Sequence, residues 1–340
     1  MLHTILFRSG AVVMVAVALI AGCNRPQTTT PVRIQVVGTV AEAPLYLASE
    51  RGYFAQNNIA PEFITLDSAA RAIPALANGE IDVAAGVLSA GLFNAVNSGI
   101  NIRIVAPQSE NRGCDHSSTW ILLRKDLADA GAIHTPADLR GRNIALVSSG
   151  SSVEYVADAL LRRGNLQPSD VFFVEMGFGD MGAAFASQRI DAAVGGEPTA
   201  TTYVEKQLAT KWLCASDIIP NLQYTYILFS PQFAEKHADI AQSWMDAYLR
   251  GARDWQTAVD DPQARRSAVE VLTRYTPVKD VDLLERVTLP WLAPQGGVDL
   301  ENIRNQIAWA RERGYIDREP ATTMLVDSRF VDQASRVASK

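Results

Sequence analysis

Residues 75–86 and 184–195 are two versions of one segment. Ala75, Ala77, Ile81, Asp82, Ala84 and Gly86 recur as Ala184, Ala186, Ile190, Asp191, Ala193 and Gly195, at a constant offset of 109 positions. The same offset relates Tyr46 to Tyr155 and Phe63 to Phe172. Register held over that length marks duplication of a whole supersecondary unit. A chain built this way folds as two like halves.

Each copy reads as strand, helix, strand, helix, strand. In copy one, 32–37 alternates as a strand and 44–54 carries helical apolar spacing. Strand 61–66, helix 68–77 and buried strand 81–85 follow, the last two separated by the turn Asn78-Gly79. Copy two repeats the order at 143–147, 151–163, 171–175, 182–188 and 190–194, with Gly164 ending the first helix. Alternation of this kind builds a parallel-rich α/β sheet covered on both faces, with ligands held beyond the carboxyl ends of the strands. Segments 118–123 and 224–229 read as strands that enter and leave the second half, a two-strand hinge. The remainder is helical, at 239–258, 264–274 and 300–313, and is expected to pack on lobe one and the hinge.

The N-terminus specifies a destination. Arg8 precedes an apolar stretch at 11–22, too short to span a bilayer and typical of an export signal. Ile20-Ala-Gly-Cys23 resembles the bacterial lipobox, which makes Cys23 the expected lipidation site and 24–31 a polar tether. ATP and nicotinamide cofactors are scarce outside the cytoplasmic membrane, and no cofactor is expected. The net charge of −6, with no lysine/arginine run, argues against nucleic-acid binding. Beyond Cys23 only Cys114 and Cys214 remain, either a disulfide pair or two separate thiols. Four histidines without ligand spacing suggest no metal, and His116 reads as a hinge hydrogen-bonding group.

Four segments carry a resemblance. The run from Gly38 to Phe54, containing Ala-Pro-Leu-Tyr-Leu-Ala and Gly-Tyr-Phe, resembles the opening of the nitrate/sulfonate/taurine class of ABC-importer substrate-binding proteins. Ala75-Leu-Ala-Asn-Gly-Glu-Ile-Asp82, Thr135-Pro-Ala-Asp-Leu-Arg-Gly-Arg-Asn-Ile-Ala145 and Gly195-Gly-Glu-Pro198 resemble further segments of that class. It shares its fold with thiamine-pyrimidine-precursor binders. The similarity spans about residues 32–260 and implies a type II periplasmic-binding-protein-like fold that closes on one small molecule. The expected division is signal peptide 1–22, lipid-anchored tether 23–31, first lobe 32–113, second lobe with the hinge strands 114–228, and a return to the first lobe at 229–340. The implied protein is a monomer on a bacterial membrane, in the periplasm or at the cell surface, with importer permease subunits as its partners.

Candidate ligand contacts follow from the duplicated rims. Ser149, Gly150, Ser151 and Ser152 stand at a strand-to-helix junction, where hydroxyls and free N–H groups suit an anion or act only as caps. Thr39 and Glu42 occupy the matching rim of copy one. Gly177-Phe-Gly-Asp-Met-Gly182 matches G-x-G-x-x-G but follows the second strand of its copy, so it reads as a tight loop placing Asp180 toward the cleft, with Ser68 opposite. Glu197, after Gly195-Gly196, suits an amine, amidine or ring N–H, and Ser89 is its copy-one counterpart. The acids favour a zwitterionic or nitrogen-containing molecule over bare nitrate. Alternatives are a ligand sensor for a membrane signalling partner and a thiamine-pyrimidine-synthase-like enzyme. The enzyme lacks its cysteine-rich iron segment here, and no G-x-S-x-G or H-E-x-x-H is present.

Overall fold

A computed structural model describes residues 29–293 and 295–338. The export segment, Cys23 and the tether up to residue 28 lie outside the described residues. Strands of the first half are β1 (Thr30–Val36), β2 (Ile59–Thr65), β3 (Val83–Val87) and β4 (Arg103–Asn111). The second half contributes β5 (Thr119–Arg124), β6 (Asn143–Leu146), β7 (Phe172–Glu175), β8 (Ala192–Gly196) and β9 (Ala209–Cys214). The tenth strand is β10 (Leu222–Phe229).

Two five-stranded sheets result, ordered β2-β1-β3-β10-β4 and β7-β6-β8-β5-β9. β3 and β8 occupy equivalent places and are related by the 109-residue offset (83 to 192). In each sheet the duplicated strands run parallel, and one strand, β10 or β5, runs antiparallel beside the last of them. The paired aspartates explain why the repeat persists. Asp82 accepts the Arg33 N–H at 2.9 Å and the Arg33 guanidinium at 2.9 Å. Asp191 accepts the Asn143 N–H at 2.9 Å and the Arg124 guanidinium at 2.9 Å. Each aspartate thus fastens the start of the last repeat strand to the first.

Several boundaries differ from the sequence reading. β10 belongs to the first sheet, so the chain regains lobe one at residue 222 rather than 229. The helix expected over 44–54 is two helices, Ala43–Glu50 and Tyr53–Gln56, because Gly52 between them takes φ of +72°. The helix of the G-x-G-x-x-G segment begins earlier, at Phe178–Ala186. β4, β9 and the helix Ala90–Asn97 were not read from the sequence.

Each lobe buries its own core. In lobe one, the long helix Ala238–Asp260 lays Trp244, Tyr248 and Trp255 on one face of the sheet. On the other face, Ile303, Ile307 and Trp309 of the helix Leu300–Glu312 join a second cluster with Leu92 and Phe93. Burying side chains of this size stabilises by about 1.5–3 kcal/mol each. The second lobe closes over Leu146, Val156, Leu160 and Phe185.

The two crossings are tied together. Cys114, in the first crossing, and Cys214, at the end of β9, form a disulfide with Cα atoms 5.4 Å apart. Those sulfurs and Asp217 are the one group among the described residues with metal-ligand spacing, and the two sulfurs are bonded to each other. No described helix is long and apolar enough to cross a membrane.

Candidate functional site

Loops at the carboxyl ends of β1, β2 and β3 face those after β6, β7 and β8 across a cleft, the placement that parallel α/β sheets give their ligands. The cleft holds an inner chamber of about 50 Å³, walled by Val87, Val147, Val153, Phe178 and Tyr224 with polar groups set among them. A vestibule of about 180 Å³ shares Val37, Thr39, Asp67, Phe178 and Glu197 with the chamber and reaches Pro277.

The lobes touch along both margins of the cleft. On one side the Val40 N–H donates to the Glu197 carbonyl at 3.1 Å. On the other, the Ala90 N–H donates to the Gly150 carbonyl at 2.7 Å, and the Ser152 N–H to the Leu88 carbonyl at 3.0 Å. The Leu88 N–H donates to Ser152 Oγ at 3.1 Å, and Ser89 pairs with Ser151 as an antiparallel bridge. Gly150, at φ +64°, brings its backbone so near that a Cβ there would sit 3.3 Å from the Ala90 Cβ. The helix Leu300–Glu312 reinforces this margin: the Trp309 indole N–H donates to Asp158 at 2.9 Å and Arg162 pairs with Glu312 at 2.8 Å.

Two buried carboxylates shape the chamber. Glu42 accepts the N–H groups of Val37, Gly38 and Thr39 at 2.6, 2.8 and 2.8 Å and the Tyr46 hydroxyl at 2.9 Å. Burial pushes its carboxyl above the ordinary range, while those backbone donors and the Tyr46 hydroxyl pull it back. Burial also raises the Tyr46 and Tyr224 phenols, so both stay protonated at neutral pH. Glu197, beside a cis peptide bond to Pro198, is fully buried. It accepts the Thr201 N–H at 3.0 Å, the Thr201 hydroxyl at 2.9 Å and the Lys211 ammonium. Gly196 before it leaves room for Phe178, whose ring would lie 3.2 Å from a Cβ at that position.

The structure brings some of the sequence candidates together and separates others. Thr39, Glu42, Ser68 and Glu197 line the chamber. Ser89, Gly150, Ser151 and Ser152 form the contact between lobes, and the chamber wall does not include them. Ser149 is exposed, its N–H donating to Glu175 at 2.8 Å. Asp180 is exposed in the first turn of its helix, outside the wall. The G-x-G-x-x-G glycines form the loop and helix start that place Phe178 against Gly196.

Sequence reasoning missed Gln108, Ser118, Thr119, Tyr224 and Phe178, all of which line the chamber. A signal for the first existed. Gln108-Ser-Glu-Asn111 is a polar run directly after the apolar Ile104-Val-Ala-Pro107, and all four of its residues are buried. Gln108 is 1% exposed and Ser68 2% exposed. The Gln108 carboxamide oxygen and nitrogen and the Ser68 hydroxyl all lack a hydrogen-bond partner.

Comparison with known proteins follows the same lines. No curated protein matches the chain in sequence. Solved structures share its fold. The nitrate-binding protein NrtA from Synechocystis PCC 6803 superposes with a TM-score of 0.77 at 12% identity, over 91% of this chain and 89% of its own. The ligand-binding component of an ABC-type import system from Staphylococcus aureus, solved with zinc bound, gives 0.75 at 15% identity over 91% and 100%. The alkanesulfonate-binding protein SsuA from Xanthomonas axonopodis, bound to MOPS, gives 0.68 at 19% over 88% and 98%. The desulfurization enzyme DSZB shares the fold too, at a TM-score of 0.62 and 12% identity over 91% and 99%. The NMT1/THI5-like family model matches residues 40–265. With that match over most of its length and two α/β lobes enclosing one cleft, the chain belongs to the NMT1/THI5-like family.

Proposed function

We propose that the protein is an extracytoplasmic, lipid-anchored solute receptor that delivers a small organic molecule to an ABC importer by hinge closure. The observation that carries this reading is the chamber enclosed between the lobes, with backbone hydrogen bonds bridging the cleft at both margins. A solute held there touches both lobes and favours the closed arrangement by its differential affinity for it. Importer subunits would then read the closed state. The signal-like N-terminus and the lipobox-like cysteine support the location, and the fold neighbours NrtA, SsuA and the staphylococcal component support the role.

The fold is also that of an enzyme, DSZB, so the chamber itself has to argue against catalysis. A hydroxyl or thiol nucleophile needs a base hydrogen-bonded to it. Among the described residues neither cysteine nor histidine lines the chamber, and the Ser68 hydroxyl has no such partner. The test is native mass spectrometry of the full chain purified from producing cells, followed by release and identification of what it retains. One small molecule, bound one to one and released unchanged, is the expected result. Turnover of the released molecule by the protein would contradict it.

A further inference from the structure

The inner chamber contains three polar atoms that its own chain leaves unused. Gln108 sits in β4 with both ends of its carboxamide unpartnered, and the Ser68 hydroxyl, after β2, is unpartnered too. Both residues are buried and line the same small space. A buried polar group without a partner is costly, and native proteins rarely keep one without a reason. Three converging on the same chamber point to groups of the solute.

The charges around them narrow the chemistry. Glu42, Asp67 and Glu197 are the acidic side chains of the chamber wall, and lysine, arginine and histidine are missing from it among the described residues. An anionic head would meet carboxylates and no lysine or arginine of the wall to pair with in a poorly screened space. A cationic head finds no spare carboxylate. Glu42 is held by four donors and Glu197 by Lys211 and Thr201. Asp67 pairs with Arg71 at 2.7 Å at the exposed rim. Size sets a further bound. A chamber of about 50 Å³ is well below the ~150 Å³ that takes up benzene, so it admits a head group with the rest of the molecule in the vestibule.

Resting on the receptor reading, we propose that the solute carries an uncharged head offering a donor and an acceptor side by side, as a carboxamide, urea or lactam does. Gln108 pairs with that head through both ends of its own carboxamide, and Ser68 takes its remaining hydrogen bond. Because a glutamine amide can be turned over in place, the pairing accepts either order of donor and acceptor. Gln108 is therefore the specificity-determining residue of this site.

The experiment is calorimetric titration of the full chain, stripped of retained molecules by unfolding and refolding. The uncharged probes are acetamide and N-methylurea, and the charged ones are nitrate, methanesulfonate and taurine. The uncharged probes are expected to bind more tightly than the charged ones. Gln108→Met should weaken them about tenfold or more, the loss expected for a buried hydrogen-bonding pair. Its melting temperature without solute should stay equal or rise, because an unpaired buried amide has been replaced by an apolar chain. If Gln108→Met does not fold, Ser68→Ala carries the same comparison with a smaller loss. Tighter binding of nitrate, methanesulfonate or taurine, or uncharged binding untouched by either variant, overturns the head-group assignment while the receptor reading stands. Binding of no probe, by a protein that also retains nothing from cells, overturns both.

Discussion

Glu197 and Lys211 show how far a single residue's role depends on its partners. The acid was read as a ligand contact, yet its carboxylate is already engaged by Lys211 and Thr201. Removing the cation strands a buried charge, so Lys211→Met should lower stability by roughly 3 kcal/mol in urea unfolding. Glu197→Gln in the same background should recover part of that loss. Glu42 makes a pH-dependent prediction. Burial holds its folded carboxyl above the ordinary value of 4.5, so the folded protein keeps that proton to higher pH than the unfolded chain. Its charge therefore opposes folding, and that penalty grows as pH rises above 4.5 through the raised value. The stability of the wild type relative to Glu42→Gln should fall over that window and then level off, as followed by denaturation at stepped pH. Part of the candidate site was legible at this scale. Rim loops placed Thr39, Glu42, Ser68 and Glu197, because the strand ends could be counted. Gln108 was not, because a polar residue inside a strand looks like any interior position until the opposite lobe is set against it.

Among elements, the junction of 88–90 with 150–152 joins the two lobes along one margin of the cleft. The Ser152 hydroxyl accepts from the Leu88 N–H and donates to the Gln306 side chain, so it links lobe two both to the rim of lobe one and to the C-terminal helix. Ser152→Ala removes both bonds. Solute release should quicken about fivefold, corresponding to ~1 kcal/mol, with the association rate little changed, as read by stopped-flow fluorescence. The disulfide joins the two crossings over a sequence separation of 100 residues. Closing so long a loop restricts the unfolded chain, so Cys114→Ser with Cys214→Ser should cost about 2–4 kcal/mol in unfolding free energy. Elements with strong periodicity were readable, as the helices at 239–258 and 300–313 show. β4 escaped because Pro107 and the buried polar run after it break the apolar alternation that marks a strand. β10 was found, but its sheet was not, since strand membership is fixed by a neighbour more than a hundred residues away.

For the whole molecule, duplication is the cause and the cleft is the consequence. Two copies of one parallel-rich unit put the loops at the carboxyl ends of their strands at equivalent places. Two crossings joined by a disulfide let those ends meet. That much was written in the 109-residue offset, whereas the chamber's chemistry required side chains from both lobes and the hinge strands together. The account stands or falls on closure around a solute inside that cleft. Small-angle X-ray scattering of the stripped full chain, titrated with the molecule released from the cell-derived protein, tests it directly. A radius of gyration that falls with one-to-one saturation, and a fall that needs at least about tenfold more solute when Ser152 and Gln108 are replaced together, is the predicted result. Saturable binding with an unchanged radius of gyration would contradict it.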